Sequence, residues 1–189
     1  MGTQIRIYVE ETTYEFRDDE ESVCCYVRPQ VIYDRDIYCN LNYFPPLDCT
    51  GILFDNCMMI SIPSAISIKA FIPNLTYLAI GNSILSKITS EDFMGFDCLR
   101  DLHIDYCEVV DLPGNLFEHT PDLEVISFYH NKIKYIDEDI LEPLQNLKVF
   151  NLLENENIDV VYNTLNNGGN VSLAELKNEI VTKCSRIDL

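Results

Sequence analysis

A hydrophobic phrase returns every 24 residues, four times in register: NLTYLAI at 74–80, CLRDLHI at 98–104, DLEVISF at 122–128 and NLKVFNL at 146–152. Leu75, Leu99, Leu123 and Leu147 are spaced by 24, as are Leu78, Leu102, Ile126 and Phe150, and again Ile80, Ile104, Phe128 and Leu152. A fixed period of this length marks one supersecondary unit stacked on copies of itself. Such a stack offers an extended surface and no enclosed pocket, so the chain is read first as something that holds another molecule.

Each slot of the phrase has a mechanical reason. Residues two apart on a strand share a face, so Leu78 and Ile80 point inward while Tyr77, Ala79 and Gly81 point outward. Three residues after the second inward position stand Cys57, Ser83, Cys107, Asn131 and Asn155. A polar side chain there can bond the backbone of the turn that leaves the strand. Ile88, Leu112, Ile136 and Val161 are expected to return the chain to the core, and Phe93, Phe117 and Leu141 to fill the side opposite the strands. Ile52, Phe54 and Cys57 repeat the pattern upstream, 26 residues from Cys57 to Ser83.

The order L-x-x-L-x-L-x-x-N/C-x-L resembles the leucine-rich repeat. The aromatics at Phe93 and Phe117 resemble the typical repeat of extracellular members of that family. The resemblance covers roughly residues 51–165 and implies a right-handed α/β solenoid of about five rungs. In it a parallel sheet lines the concave side, with loops and short helical turns on the convex side. Architecturally the chain is similar to small secreted leucine-rich repeat proteins of insects. Some relatives of these in mosquito haemolymph act in innate immunity beside complement-like partners. Those proteins continue into a coiled coil, whereas here one helix follows the repeats.

The terminal rungs need caps. Residues 1–50 hold four of the eight cysteines, Cys24, Cys25, Cys39 and Cys49, and form the expected disulfide-bonded N-terminal cap. Cys39 is expected to pair with Cys24 or Cys25 and Cys49 with the other; four cysteines allow three connectivities and the sequence does not choose. Alternation over 4–9 predicts a strand, and the stretches 22–27 and 37–41 predict a hairpin over the first rung. The repeats span 51–168. In 169–189, Ser172 and Glu175 read as a capping box opening a helix whose Leu173, Leu176, Ile180 and Cys184 form a stripe over the last rung. Cys184 is either a helix-face hydrophobe or a linker to a second copy.

The formal charge is −18. That argues against nucleic acid and anionic membrane surfaces as partners. No run of 18 or more apolar residues offers a membrane span. Met1-Gly2 leads into polar sequence, which fits either a cytosolic chain or a mature form with an added start. Eight cysteines, the sequons at Asn74 and Asn170, and the aromatic-bearing repeat favour an extracellular location. Cys57 and Cys107 sit two rungs apart, roughly 10 Å at Cα, so they are read as buried thiols in the Asn slot.

No nucleophile elbow, phosphate loop or H-E-x-x-H motif occurs, and neither enzyme activity nor a cofactor is expected. His119 falls on the convex side as a surface histidine. Asp101, His103 and Asp105 alternate on one strand, but same-face neighbours lie about 6.6–7 Å apart, too wide for shared metal ligation without another donor. The candidate ligand-binding residues on the concave face are therefore Asp55, Tyr77, Asp101, His103, Asp105, Tyr106, Tyr129, His130 and Asn151. Asn56, Asn82 and Glu154 lie just beyond. The expected function is binding of a protein or microbial surface ligand by a secreted, non-enzymatic protein. A self-associating matrix protein and a cytosolic adaptor are the alternatives.

Overall fold

The inward pair of each phrase makes one short strand, and the remainder of the rung returns the chain to start the next. The structure, a computed structural model, describes residues 9–15, 21–27, 31–32, 49–165 and 171–185. Its strands are β1 (Val9–Glu15), β2 (Glu21–Val27), β3 (Val31–Ile32), β4 (Gly51–Asp55), β5 (Met58–Met59), β6 (Tyr77–Gly81), β7 (Asp101–Asp105), β8 (Asp111–Leu112), β9 (Val125–Ser127), β10 (Tyr135–Ile136), β11 (Val149–Asn151) and β12 (Val161–Asn163). The main sheet runs β1-β2-β4-β6-β7-β9-β11-β12. Neighbours from β2 to β11 are parallel, and an antiparallel strand closes each end.

The register matches the period: Ile52 pairs with Leu78, Leu78 with Leu102, Leu102 with Ile126 and Ile126 with Phe150. All of these are buried, as are Phe54, Ile80, Ile104, Phe128 and Leu152. Phe93, Phe117 and Leu141 fill the opposite side as expected, with the rings of Phe93 and Phe117 6.0 Å apart. The 26-residue first step also has a local cause. Ile62 to Leu75 spans two residues more than Ile88 to Leu99, and there the α-helix α1 (Ala65–Lys69) replaces the 3-10 turn at Ser90–Phe93.

The Asn slot works as a backbone clamp between rungs. Asn131 donates to the Ile104 carbonyl at 2.7 Å and accepts from Val109 N at 3.1 Å; Asn155 repeats this with Phe128 and Ile133 at 2.9 and 3.1 Å. Ser83 accepts from Met59 N and donates to the Cys57 carbonyl. Cys107 reaches the Ile80 carbonyl only at 3.9 Å, and burial pushes its thiol up to about 12.

Several expectations are corrected. Val161 does not return the chain to the core; half-exposed in β12, it runs antiparallel to β11 and ends the repeats, while Ile158 takes the buried place. The described neighbours of 21–27 are β1, antiparallel, and β4, parallel, and the described strand begins at Val9 where the alternation over 4–9 ends. Residues 37–41, Cys39, Asn170 and the side chains of Cys24 and Cys25 lie outside what the structure describes. Cys49 is buried, its Sγ 3.3 Å from the Gly51 carbonyl.

The C-terminal helix α2 (Leu173–Glu179) opens on the expected box: Ser172 Oγ accepts from Glu175 N at 3.2 Å, and Ser172 N donates to the Glu175 carboxylate at 2.7 Å. The covering stripe is Leu176 of α2 with Ile180 and Cys184 of the π-helical turn that follows it (Ile180–Cys184); Leu173 is 41% exposed and leaves the expected set. Cys184 is buried and its thiol is pushed up by that burial to about 11, which removes it as a linker to a second copy. Among the described residues no helix is long and apolar enough to cross a membrane.

Candidate ligand-binding face

The face of the sheet turned away from the core is set by the same alternation. Along β7, Leu102 and Ile104 are buried and Asp101, His103 and Asp105 are half-exposed. One residue beyond each strand the chain must leave the sheet, yet its N–H still reaches the next rung. Asn56 N donates to the Gly81 carbonyl, Asn82 N to Asp105, Tyr106 N to Tyr129 and His130 N to Leu153, all between 2.9 and 3.2 Å. After the last rung no neighbour remains, and Asp159 Oδ1 accepts from Glu154 N at 2.8 Å instead. Making that bond and turning away together require left-handed backbone: Asn56, Asn82, Tyr106, His130 and Glu154 have φ of 53, 50, 53, 52 and 57°. They are the only non-glycine residues with positive φ among those described.

The structure draws three of the candidate residues together. The rings of Tyr106 and Tyr129 meet edge-on at 5.2 Å, and those of Tyr106 and His130 lie 4.9 Å apart. Tyr129 donates its hydroxyl to Glu154 Oε1 at 2.6 Å, and His130 Nδ1 lies 2.8 Å from Glu154 Oε2. Glu154 was not among the sequence candidates, although its place 24 residues after His130 marks it. The Tyr129 hydroxyl, and then His130, hold the Glu154 carboxyl below the usual carboxylate range; bonding to Glu154 and then to Tyr106 pushes the Tyr129 phenol up.

Asp105 supports this cluster from inside. Its Oδ1 accepts from Ser127 Oγ at 2.7 Å and from the Tyr129 amide at 2.8 Å, and its Oδ2 lies 3.7 Å from His103 Nδ1. Ser127 was also missed, because a small hydroxyl on an outward position gives no signal until its neighbour on the next strand is known. The other candidates stand apart. Asp55 accepts from Asn82 Nδ2 at 2.7 Å at the first rung, and Asn151 accepts from the Leu153 amide at 3.1 Å at the last. Asp101 sits at the opposite end of β7 from Asp105.

Tyr77 is a correction. It faces outward but is 8% exposed, packed with Ala79 and Leu53 in a small apolar cluster separate from the core, with His103 5.3 Å from its ring. The outward side of β6 is therefore closed to a ligand, while Tyr106 at 46% is open. His119 sits half-exposed beside Glu118, as expected of a surface histidine.

Charge is distributed unevenly. Before the strands, Glu124 sits between Arg100 and Lys148, the equivalent residues of the rungs on either side. Past the turns, Lys132 pairs with Glu108 at 2.9 Å and Lys134 with Glu156 at 3.1 Å. By contrast, Asp105 and Glu154 pair with no lysine or arginine among the described residues.

A family model described as leucine rich repeat matches residues 99–158, the stretch from Leu99 through the buried Ile158. Residues 99–158 thus match the leucine-rich repeat family. Solved structures of such repeats resemble it. In the crystal structure of the TLR13–ssRNA13 complex, the similar chain is 21% identical, with a TM-score of 0.52, over 58% of this chain and 15% of that one. A leucine-rich repeat protein of Leptospira interrogans is 24% identical, with a TM-score of 0.48, over 58% of this chain and 26% of that one. The chain thus spans a small part of either, and at these identities the likeness concerns the fold alone. No curated protein matches it.

Proposed function

We propose that this chain is a secreted, non-enzymatic recognition protein that binds a protein or microbial surface ligand through the open, concave face of its sheet, in a role akin to innate immunity. The observation that carries this reading is the convergence, at the ends of three adjacent strands, of Tyr106, Tyr129 and His130 beside Asp105 and Glu154. Tyrosine presents a large contact area with few rotatable bonds and is enriched where binding energy concentrates. Asp101 and His103 extend the same face along β7, with Asn151 at its far end and Asp55 beyond the closed second rung.

Secretion is supported by eight cysteines and by the exposed sequon at Asn74, in the turn before β6. Under this reading Cys24, Cys25, Cys39 and Cys49 form a disulfide cap within 1–50, the repeats run over 51–168, and 169–189 closes the far end. Asn74 and Asn170 then carry glycans. The charge of −18 disfavours nucleic acid, so the RNA of the TLR13 complex is not carried over.

Capture from extracellular fluid by the immobilised chain tests the face, with His103, Tyr106 and Tyr129 changed together to alanine as the comparison. Loss of the captured species in the triple variant supports the reading, and undiminished capture rejects the open face as the site. Mass spectrometry of native material decides the compartment: eight reduced thiols and a bare Asn74 would rule out secretion.

A further inference from the structure

We propose that Tyr106, Tyr129, His130 and Glu154 form a seat for a cation, an arginine or lysine side chain of a basic protein segment. This rests on the recognition reading above and narrows it to the chemistry of the partner.

The first support is conformational. Every rung needs a left-handed residue after its strand, and Asn56 and Asn82 satisfy that need with the side chain that tolerates the region best after glycine. The last three rungs place tyrosine, histidine and glutamate in the same slot, where tyrosine and glutamate are strained. Strain retained at residues that converge on one another points to a function for their side chains and not to folding. Here they do converge: Tyr106 against His130 at 4.9 Å, His130 against Glu154 at 2.8 Å, with Tyr129 bridging Tyr106 and Glu154.

The second support is chemical. Aromatic faces attract an ammonium or guanidinium within about 6 Å, and an adjacent carboxylate adds a charge-assisted hydrogen bond. Tyr106, Tyr129 and His130 supply the rings and Glu154 the carboxylate, in one exposed group. The third is the missing counter-charge. Glu108, Glu124 and Glu156 are each answered by a lysine or arginine of a neighbouring rung, whereas Glu154 is met by a phenol and an imidazole. A basic segment would supply the charge that no described lysine or arginine brings to Glu154, and the net charge of −18 would steer it there.

The test is calorimetric titration of the whole chain with a blocked tetra-arginine peptide, against the tetra-citrulline peptide, a neutral isostere. Binding of the first and not the second is expected, weakening as salt rises. Tyr106→Asn and Glu154→Asn, which install the residue already used at Asn56 and Asn82, should each weaken binding about tenfold or more. Their thermal midpoints should stay at or above that of the parent. Glu108→Gln, which also removes one negative charge, should leave binding unchanged.

Equal loss in Glu108→Gln and Glu154→Asn would overturn the seat in favour of general electrostatic attraction, and no binding by the parent chain would overturn it outright. These outcomes separate from failure of the broader reading. If the triple alanine variant loses its captured species while Tyr106→Asn and Glu154→Asn hold tetra-arginine as the parent does, the face recognises a ligand but not through a cation.

Discussion

Two columns of residues run up this molecule one position apart in sequence, and they obey different rules. The inner column, Cys57, Ser83, Cys107, Asn131 and Asn155, turns into the core, and its Ser83, Asn131 and Asn155 clamp the backbone of the preceding rung. The outer column, Asn56, Asn82, Tyr106, His130 and Glu154, shares a backbone conformation and no side-chain chemistry. In the inner column a residue is chosen for the bonds it makes to the main chain. In the outer column the main chain asks only for φ near 50°, and the side chain is left open to other demands. Adjacent positions can therefore be read for stability and for recognition separately.

The sharpest way to break this contrast lies in the inner column. Asn131→Ala would leave Val109 N and the Ile104 carbonyl unsatisfied in a buried setting, so it should destabilise the chain by about 3 kcal/mol in urea unfolding. A loss under about 1 kcal/mol would mean that the clamp is dispensable. The reverse change is next in size. Cys107 reaches the preceding rung only by a long thiol contact with Ile80, its nearer bond going to the Asp105 carbonyl of its own strand, so Cys107→Asn should restore the clamp seen in the two following rungs and add about 1 kcal/mol. If it destabilises instead, the third rung is packed for sulfur and the column is not uniform.

The outer column should respond the other way. Glu154→Asn relieves a left-handed glutamate and removes only exposed bonds, so the urea midpoint should be unchanged or raised. The smallest effect is on pH dependence. The Glu154 carboxyl is held below its ordinary value of 4.5 in the folded chain, so its bonds contribute fully above that pH. The contribution fades as pH falls through the lowered folded value. The acid limb of the unfolding curve should therefore be slightly shallower in Glu154→Gln than in the parent. An identical limb would show that Tyr129 and His130 do not hold the carboxylate in solution.

The inner column could be read from the sequence because a slot three residues past the inward pair repeats small polar or thiol residues, at steps of 24 after a first step of 26. So could the core, since Leu78, Leu102, Ile126 and Phe150 must share a face once the period is known. The outer column was visible only as a set of positions, because backbone conformation leaves no mark on residues as unlike as Tyr106, His130 and Glu154. Tyr77 was misplaced because alternation gives the direction of a side chain and not what lies over it; Leu53 and Ala79 close around it from other positions. Val161 fitted the period by count, but a chain with no next rung to join doubles back on β11. Ser172 and Glu175 were legible because a capping box is local.

The closure around Tyr77 also sets a scale. With the second rung shut, a visitor meets the ends of β7, β9 and β11, and three strands at about 4.8 Å spacing make a landing strip roughly 10 Å across. A stable interface between folded proteins covers about 800 Å² on each side, several times that strip. Under the proposed reading, the occupant is a loop or tail threaded past the tips and not a folded surface.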